Sequence, residues 1–415
     1  MIHYIYTKKS QKMNIIFRKV RLLKLNILYF SALDENDESK IGIKNKILGQ
    51  CNGLEQLGHS VWLARFRSKK LAVTKAEDFV FEYYLGDGYS RRRCAKAFHI
   101  LKKFTKEWKI DLLYMRLPSM SIATYQFLHG LHIQNIKVLI ELYTYPLNKE
   151  RIVTSLYQIR EKQFYSGTKA ILSLMLDNLY YPFLRTVVDR LVVLLPKKKI
   201  WGIKTIQIQN GINTSAIYPR AINTDKDKIT LLGVAYLSYW HGYDRVLKGL
   251  KAYYEEGGTP KKRVEFIIVG DGSSRKELEN YVMENHLESY VSFVGIKSGL
   301  ELDSYYDRAD VGVAALGVHR KKLQVVSTLK SREYFAKGLP FLDSAVDYGI
   351  NESVSRYYLK FPNDDTDVSI HKVITFAEQF KYTDEAQTAM RDYAVKYLDW
   401  KYQMSMVIKG AANVN

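Results

Sequence analysis

Short unbroken apolar runs alternate with longer stretches of helical spacing along most of this chain. The first run is Leu25-Asn-Ile-Leu-Tyr-Phe30. A polar loop (Ser31 to Gly42) and helical periodicity from Lys44 to Leu57 follow, stopped by Gly58-His59 before Val61-Trp-Leu-Ala64. Strand, loop, helix, glycine stop and strand make a βαβ unit with parallel strands. The alternation continues at Asp111–Met115, Lys137–Glu141, Arg190–Leu194 and Thr205–Gln209. A second series begins at Ile229–Gly233 and runs through Val264–Val269, Val291–Phe293, Val311–Ala315 and Leu339–Leu342. Polar residues 213–228 read as a linker. The pattern predicts an α/β protein: two Rossmann-like, doubly wound domains facing a central cleft. A tail (1–24) precedes a first domain (25–212). The second domain spans 229–385, and a long amphipathic helix (Asp384 to Lys409, with 386–411 packing back on the first domain) ends the pattern. In open parallel sheets ligands bind beyond the carboxyl ends of the strands, so each domain supplies one wall.

Composition narrows the class. The 415 residues, 47% hydrophobic and 26% charged, exclude a disordered or fibrous chain. Two cysteines, Cys51 and Cys94, are too few for a disulfide framework, which points to a reducing compartment. The apolar stretch Ala170 to Pro196 is interrupted by Asp177, Arg185, Asp189 and Arg190, so it predicts no membrane span. The basic start (Lys8, Lys9, Lys12, Arg18, Lys19, Arg21, Lys24) has no apolar core behind it and reads as a tail, or as sequence upstream of a start at Met13.

Charge is unevenly spread. Residues 1–220 hold 37 basic and 16 acidic side chains, a net +21, whereas residues 221–415 hold 26 and 27. The first half therefore faces something anionic: nucleic acid, an acidic membrane surface or a phosphorylated substrate.

Several clusters carry candidate chemistry. Gly270 and Gly272, in Val-Gly-Asp-Gly-Ser-Ser, sit between a strand and a helix, where free amides bind anions or merely make a tight turn. Ser327-Thr328-Leu329-Lys330-Ser331-Arg332-Glu333 reads as a capped helix start aimed at the cleft. A phosphate there gains from amides, the helix dipole and Lys330, and Glu333 could accept both hydroxyls of a ribose. His241 and Arg245 lie in Trp240-His-Gly-Tyr-Asp-Arg245, a loop at the cleft floor, where they either meet a ligand or serve the fold, His241 bonded to backbone and Arg245 paired with Asp244. In the first domain, Gly42 opens a helix, Glu141 ends a strand as a candidate acid or base, and Asn210-Gly211 forms a turn.

Taken in order, Ile41-Gly-Ile-Lys-Asn-Lys46, Gly58-His59, Glu141-Leu-Tyr-Thr-Tyr-Pro146, Asn210-Gly-Ile212, the Trp240–Arg245 loop, Val269–Gly272 and Leu329–Tyr334 resemble GT-B-fold glycosyltransferases. They are closest to the retaining family 4 enzymes of bacterial surface-polysaccharide synthesis. The resemblance spans Leu25 to Lys409. It implies a nucleotide-sugar donor on the C-terminal domain, a lipid-linked saccharide or glycan acceptor on the N-terminal one, and transfer with retention. Glu333 matches the ribose-binding second Glu of a Glu-x7-Glu motif, and Gly42 the glycine that approaches the donor phosphates. The first Glu of the motif falls on Val325. Tyr236 and His241 replace the usual diphosphate-binding Arg and Lys, leaving Arg245, Lys330 or Arg320 to supply charge.

The leaving diphosphate then needs no metal, and no cofactor is expected. The basic half implies a cytoplasmic protein held peripherally on the inner face of the cell membrane, through Arg91-Arg-Arg93, Arg160 to Arg185 and the tail. Competing readings are a nucleotide-sugar epimerase of the same fold, a degenerate transferase that only binds nucleotide, and a nucleic-acid binder. The last is disfavoured because no recognisable nucleic-acid motif accompanies the charge.

Overall fold

The computed structural model describes residues 24–412 except 38–39, 77, 88–89, 143–144, 146, 148–151, 153–154, 156–163, 224, 226, 257–261 and 381–383. The tail, Tyr143, Thr144, Pro146 and Arg160 lie outside the described residues.

The first sheet contains β1 (Asn26–Asp34), β2 (Ser60–Arg67), β3 (Lys70–Lys75), β4 (Asp78–Tyr84), β5 (Leu112–Arg116), β6 (Lys137–Leu142), β7 (Arg190–Val193), β8 (Lys199–Ile200) and β9 (Ile203–Gln207). Their order is β4-β3-β2-β1-β5-β6-β7-β9-β8. The central strands are parallel, and two antiparallel additions close the edges. Helices α1 (Ile41–Gln56), α2 (Ser90–Glu107), α3 (Ile122–Ile133) and α4 (Phe164–Tyr180) make crossovers. Residues of β1 point alternately into two cores: Leu28 and Phe30 into one, Ile27 and Tyr29 into the other. That double burial is why the run carries no polar face.

The second sheet contains β10 (Lys228–Val234), β11 (Arg263–Val269), β12 (Val291–Gly295), β13 (Val311–Val313), β14 (Phe341–Asp343) and β15 (Tyr358–Lys360). Its order, β12-β11-β10-β13-β14-β15, with every pair parallel, is that of a dinucleotide-binding sheet. Its helices are α5 (Tyr243–Glu255), α6 (Arg275–Glu284), α7 (Gly299–Arg308), α8 (Leu329–Lys337) and α9 (Ile370–Glu378).

The expected single helix from Asp384 to Lys409 is two: α10 (Glu385–Tyr393), a π-turn (Ala394–Leu398), then α11 (Trp400–Ala412). The break lies at Asp399. Its Oδ1 accepts the Lys401 amide (2.8 Å) and its Oδ2 the Thr214 hydroxyl (2.6 Å). Extended backbone there pairs with Ile212: the Ile212 amide donates to Leu398 (2.8 Å) and the Trp400 amide to Ile212 (3.1 Å). The start of the expected polar linker is therefore bonded into the fold. α11 then crosses to the first sheet, where Trp400, Met404, Val407 and Ile408 complete the core containing Ile27 and Tyr29. Trp400 sits on α1 so closely that a Cβ at Gly49 would lie 2.2 Å from its ring.

Candidate active site

Two cavities lie one on each side of Leu329: the smaller opens at the carboxyl ends of the strands, and the larger runs along α1 as far as Glu55 and Val61. The larger, about 540 Å³, has Gly42, Asn45 and Lys46 of α1 on one wall and Leu329 and Glu333 of α8 on the other. The smaller, about 390 Å³, gathers Tyr145, Asn210, Trp240, His241, Val325, Ser327, Thr328, Lys330 and Tyr348. At Leu329 the walls meet: its Cδ1 lies 3.5 Å from where a Gly42 Cβ would stand.

α8 enters this space as its sequence predicts. The Thr328 side chain accepts the Ser331 amide (3.2 Å) as an N-cap, and Gly338 (φ +68°) ends the helix in the left-handed region. Lys330 rides on the first turn with Nζ 3.2 Å from the Tyr243 hydroxyl and 3.4 Å from the Ala314 carbonyl. Burial lowers its pKa to about 7, with Asp343 and Glu333 pulling the other way. An anion arriving at the helix start would restore the ammonium. One turn on, burial raises the carboxyl pKa of Glu333, offset by its hydrogen bond to Tyr306. A carboxylate so placed gains from two ligand hydroxyls.

Ser238 and His241 cap each other: the Ser238 amide donates to His241 Nδ1 (3.2 Å). An Nδ1 that accepts carries no hydrogen, so the neutral ring holds its hydrogen on Nε2. Burial, reinforced by Lys330 and Lys321, keeps His241 well below its usual pKa and thus neutral. Lys321 Nζ stands 3.8 Å over the Trp240 ring.

Other candidates turn out to be structural. Glu141, the expected catalytic group, is sealed. It pairs with Lys46 (2.7 Å) and Arg116 (3.5 Å) and accepts from Tyr114 (2.6 Å) and Gln50 (2.8 Å). Burial alone would raise its pKa, but Lys46 and Arg116 bring it to about 2. A carboxylate this well satisfied has no affinity for a proton at neutral pH. Arg245 is fully buried, its guanidinium donating to the carbonyls of Leu316, Thr366 and Pro362, because its position in the first turn of α5 points inward. It braces loops and does not reach the cleft.

Arg320 is clamped by Asp244 (2.7 Å to each oxygen), Asp365 and the Tyr239 carbonyl, beside a separate cavity of about 330 Å³. The Gly270–Gly272 turn folds onto Ala235–Leu237: a Cβ at Gly270 (φ +125°) would lie 1.8 Å from the Ala235 carbonyl oxygen. The Gly270 amide donates to the Gly295 carbonyl (2.7 Å) and the Gly272 amide to the Asp271 side chain (2.7 Å), so both glycine amides are engaged within the turn. Tyr236 is exposed and lines neither cleft cavity. Of the expected membrane cations, Arg91 is bound to Met120, Ser173 and Asp177, and Arg93 to Ser68 and Asp34.

Asn210 bridges the units: its amide donates to Ser327 Oγ (2.9 Å) and its carbonyl accepts from Arg332 (2.8 Å). Its Oδ1 is buried without a hydrogen-bond partner among the described residues. Val325 stands in the smaller cavity and makes an isolated parallel bridge with Val346. Sequence reasoning missed Lys46 and Tyr348. Lys46 follows Gly42 by four residues, hence on the same helix face, and that spacing was the available signal. Among the described residues no group of three His, Cys, Asp or Glu side chains is placed to hold a metal ion.

Comparison with known proteins adds to this geometry. Residues 228–379 match the family described as glycosyl transferases group 1. A glycosyltransferase from Rickettsia africae has the same architecture at TM-score 0.62 and 13% identity, covering 94% of this chain and 99% of its own. Sucrose-phosphate synthase from Thermosynechococcus elongatus aligns at 0.61 and 16%, covering 94% and 100%. A structure described as trehalose-6-phosphate from E. coli bound with UDP-2-fluoro glucose aligns at 0.55 and 13%, covering 94% and 99%. No curated protein sequence matches the chain.

Proposed function

We propose that this GT-B-fold chain, whose residues 228–379 match glycosyl transferases group 1, is a glycosyltransferase. It binds a nucleotide-sugar donor between its two sheets. It passes the sugar, with retained configuration, to a hydroxyl of a lipid-linked saccharide or glycan acceptor in surface-polysaccharide synthesis, at the cytoplasmic face of the membrane. The observation that carries this reading is the capped start of α8, which brings Glu333 to the larger cavity, shared with Gly42 of the opposite wall, and Lys330 to the smaller cavity on the other side of Leu329.

The roles follow from the chemistry. Glu333 accepts the ribose hydroxyls. The diphosphate lies at the α8 amides, where Lys330 becomes charged and His241 offers its Nε2 hydrogen. As the acceptor oxygen bonds to the anomeric carbon, the bond to the diphosphate breaks, the hydroxyl proton passes to the departing phosphate oxygen, and these fixed donors stabilise the charge that leaves without requiring a metal. Val325, which brings no carboxylate to the sugar side, favours one second reading: a chain that binds the nucleotide sugar without transfer.

A thermal-shift screen with UDP, GDP, CMP, ADP and their sugar conjugates, with and without EDTA, tests the donor. At a hundredfold excess over the dissociation constant a ligand stabilises the fold by about 2.7 kcal/mol. One nucleoside diphosphate should shift the transition regardless of EDTA. Silence across the panel would overturn the donor site, and binding without turnover on any glycan acceptor would select the second reading.

A further inference from the structure

We infer that the outer face of α4 is a docking surface for an anionic lipid bilayer. α4 and the 3-10 turn after it (Tyr181–Thr186) lead from β6, whose carboxyl end borders the cleft, to β7. Their inner side is firmly anchored. Leu174, Asp177, Tyr181 and Leu184 are buried. Asp177 accepts from Arg91 (2.7 Å) and from the Met120 amide (2.8 Å). The outer side carries Leu172, Met175, Leu176, Leu179 and Phe183, which are 59, 62, 40, 66 and 59% exposed. Their spacing places them on one stripe. Single exposed leucines are ordinary on a protein surface, whereas a contiguous stripe of five large apolar side chains marks a contact surface.

Charge selects the occupant. Between residues 164 and 188 the sole acid is Asp177, and it is turned inward. Arg185 is exposed at the far end of the stripe, and exposed Lys197, Lys198 and Lys199 lie beyond it. The hairpin that follows these lysines is held against the turn by Trp201, stacked on Tyr181 at 4.2 Å, and by Arg185, whose Cδ lies 4.0 Å from a Cβ at Gly202. An apolar stripe rimmed by cations fits the boundary between acyl chains and anionic headgroups. A symmetric pairing of two copies through this face would set one basic rim against the other. No described helix is long and apolar enough to cross a membrane, so α4 lies on the bilayer. The surface rests on the preceding reading only for its purpose, which is to bring the cleft to a membrane-bound acceptor.

Sedimentation of the full chain with phosphatidylcholine vesicles, with and without phosphatidylglycerol, tests the surface. The wild type should sediment only with the anionic vesicles, and less so as salt is added. Leu176→Glu combined with Leu179→Glu should abolish binding, as should Lys197→Glu, Lys198→Glu and Lys199→Glu together. Both variants should keep the thermal shift given by the nucleoside diphosphate, which shows an intact fold and separates this test from that of the donor site. Wild-type protein that ignores anionic vesicles, or binding unchanged in the double leucine variant, would overturn the proposal. So would a dimer that the leucine variant splits while vesicles are left unbound.

Discussion

Two carboxylates flank the same cleft and have opposite characters. Glu141, at the end of β6, has two cations, a phenol and an amide around it, and titrates near 2. Glu333, on α8, has Tyr306 as its hydrogen-bonding partner and a pKa pushed up by burial. From sequence, Glu141 is the candidate acid or base, standing at a strand's carboxyl end beside tyrosines, and Glu333 the candidate ribose ligand. The structure surrounds the first with partners and leaves the second with few. What makes a buried acid available is the number of partners it lacks, and Glu141 has two ion-pair partners and two hydrogen-bond donors.

The largest effect should come from emptying the saturated site. Glu141→Ala leaves Lys46 and Arg116 buried without their counter-charge and should cost about 3–5 kcal/mol of stability in denaturant unfolding. A loss below about 1 kcal/mol would break the contrast. Arg245→Met, which strands three loop carbonyls, should cost about 1–3 kcal/mol for a buried group left unsatisfied. The dissociation constant for nucleoside diphosphate should stay unchanged, and a weakened one would return Arg245 to the donor site.

Glu333→Ala should do the reverse. Stability should be nearly kept, while calorimetry finds nucleoside diphosphate binding weakened by about 1–3 kcal/mol, the worth of hydrogen bonds to a charged group. An unchanged dissociation constant removes Glu333 from the ribose.

The subtlest test concerns protons. Free Lys330 titrates at about 7, and a neighbouring diphosphate favours its ammonium form and raises that pKa. Above pH 7, binding should therefore take up a proton, and affinity should fall as pH rises, by at most about tenfold per unit for one proton. Below about pH 7 the lysine is already charged and this dependence ends. Glu333 acts with the opposite sign: affinity should weaken as pH falls through its raised pKa. Calorimetry in buffers of different ionisation enthalpy reads the uptake, and Lys330→Met should erase it.

Much of the fold was readable because a strand buried on both faces needs an unbroken apolar run, which β1, β5, β6, β10 and β11 display. The β3–β4 hairpin was not. β4 is an edge strand with most of its residues exposed, including Phe79, Tyr83 and Tyr84, so burial imposes no alternation on it. β15, with three residues, is too short for a pattern. The break at Asp399 escaped because no glycine or proline marks it. Its cause, Ile212, lies far away in sequence. In the site, the Thr328 cap and the Gly338 stop are local signals and were legible. The inward turn of Arg245 depends on carbonyls between 71 and 121 residues away, and no local pattern encodes those.

The crossing at Ile212, Leu398 and Trp400 has a topological consequence. The chain leaves the first sheet and returns to it at neighbouring points, so the second sheet is in effect an insertion within the first unit. On the side of the first sheet that holds Ile27 and Tyr29, α1 contributes Ile47, Cys51 and Leu54, and α11 completes the core with Trp400, Met404, Val407 and Ile408. During synthesis on the ribosome the part of that side that α11 covers must wait until the inserted sheet has been made and α11 follows. A nascent chain of this design completes its oldest core late, and the glycine-lined groove of α1 at Gly49 and Gly53 is the seat that the late helix comes to fill.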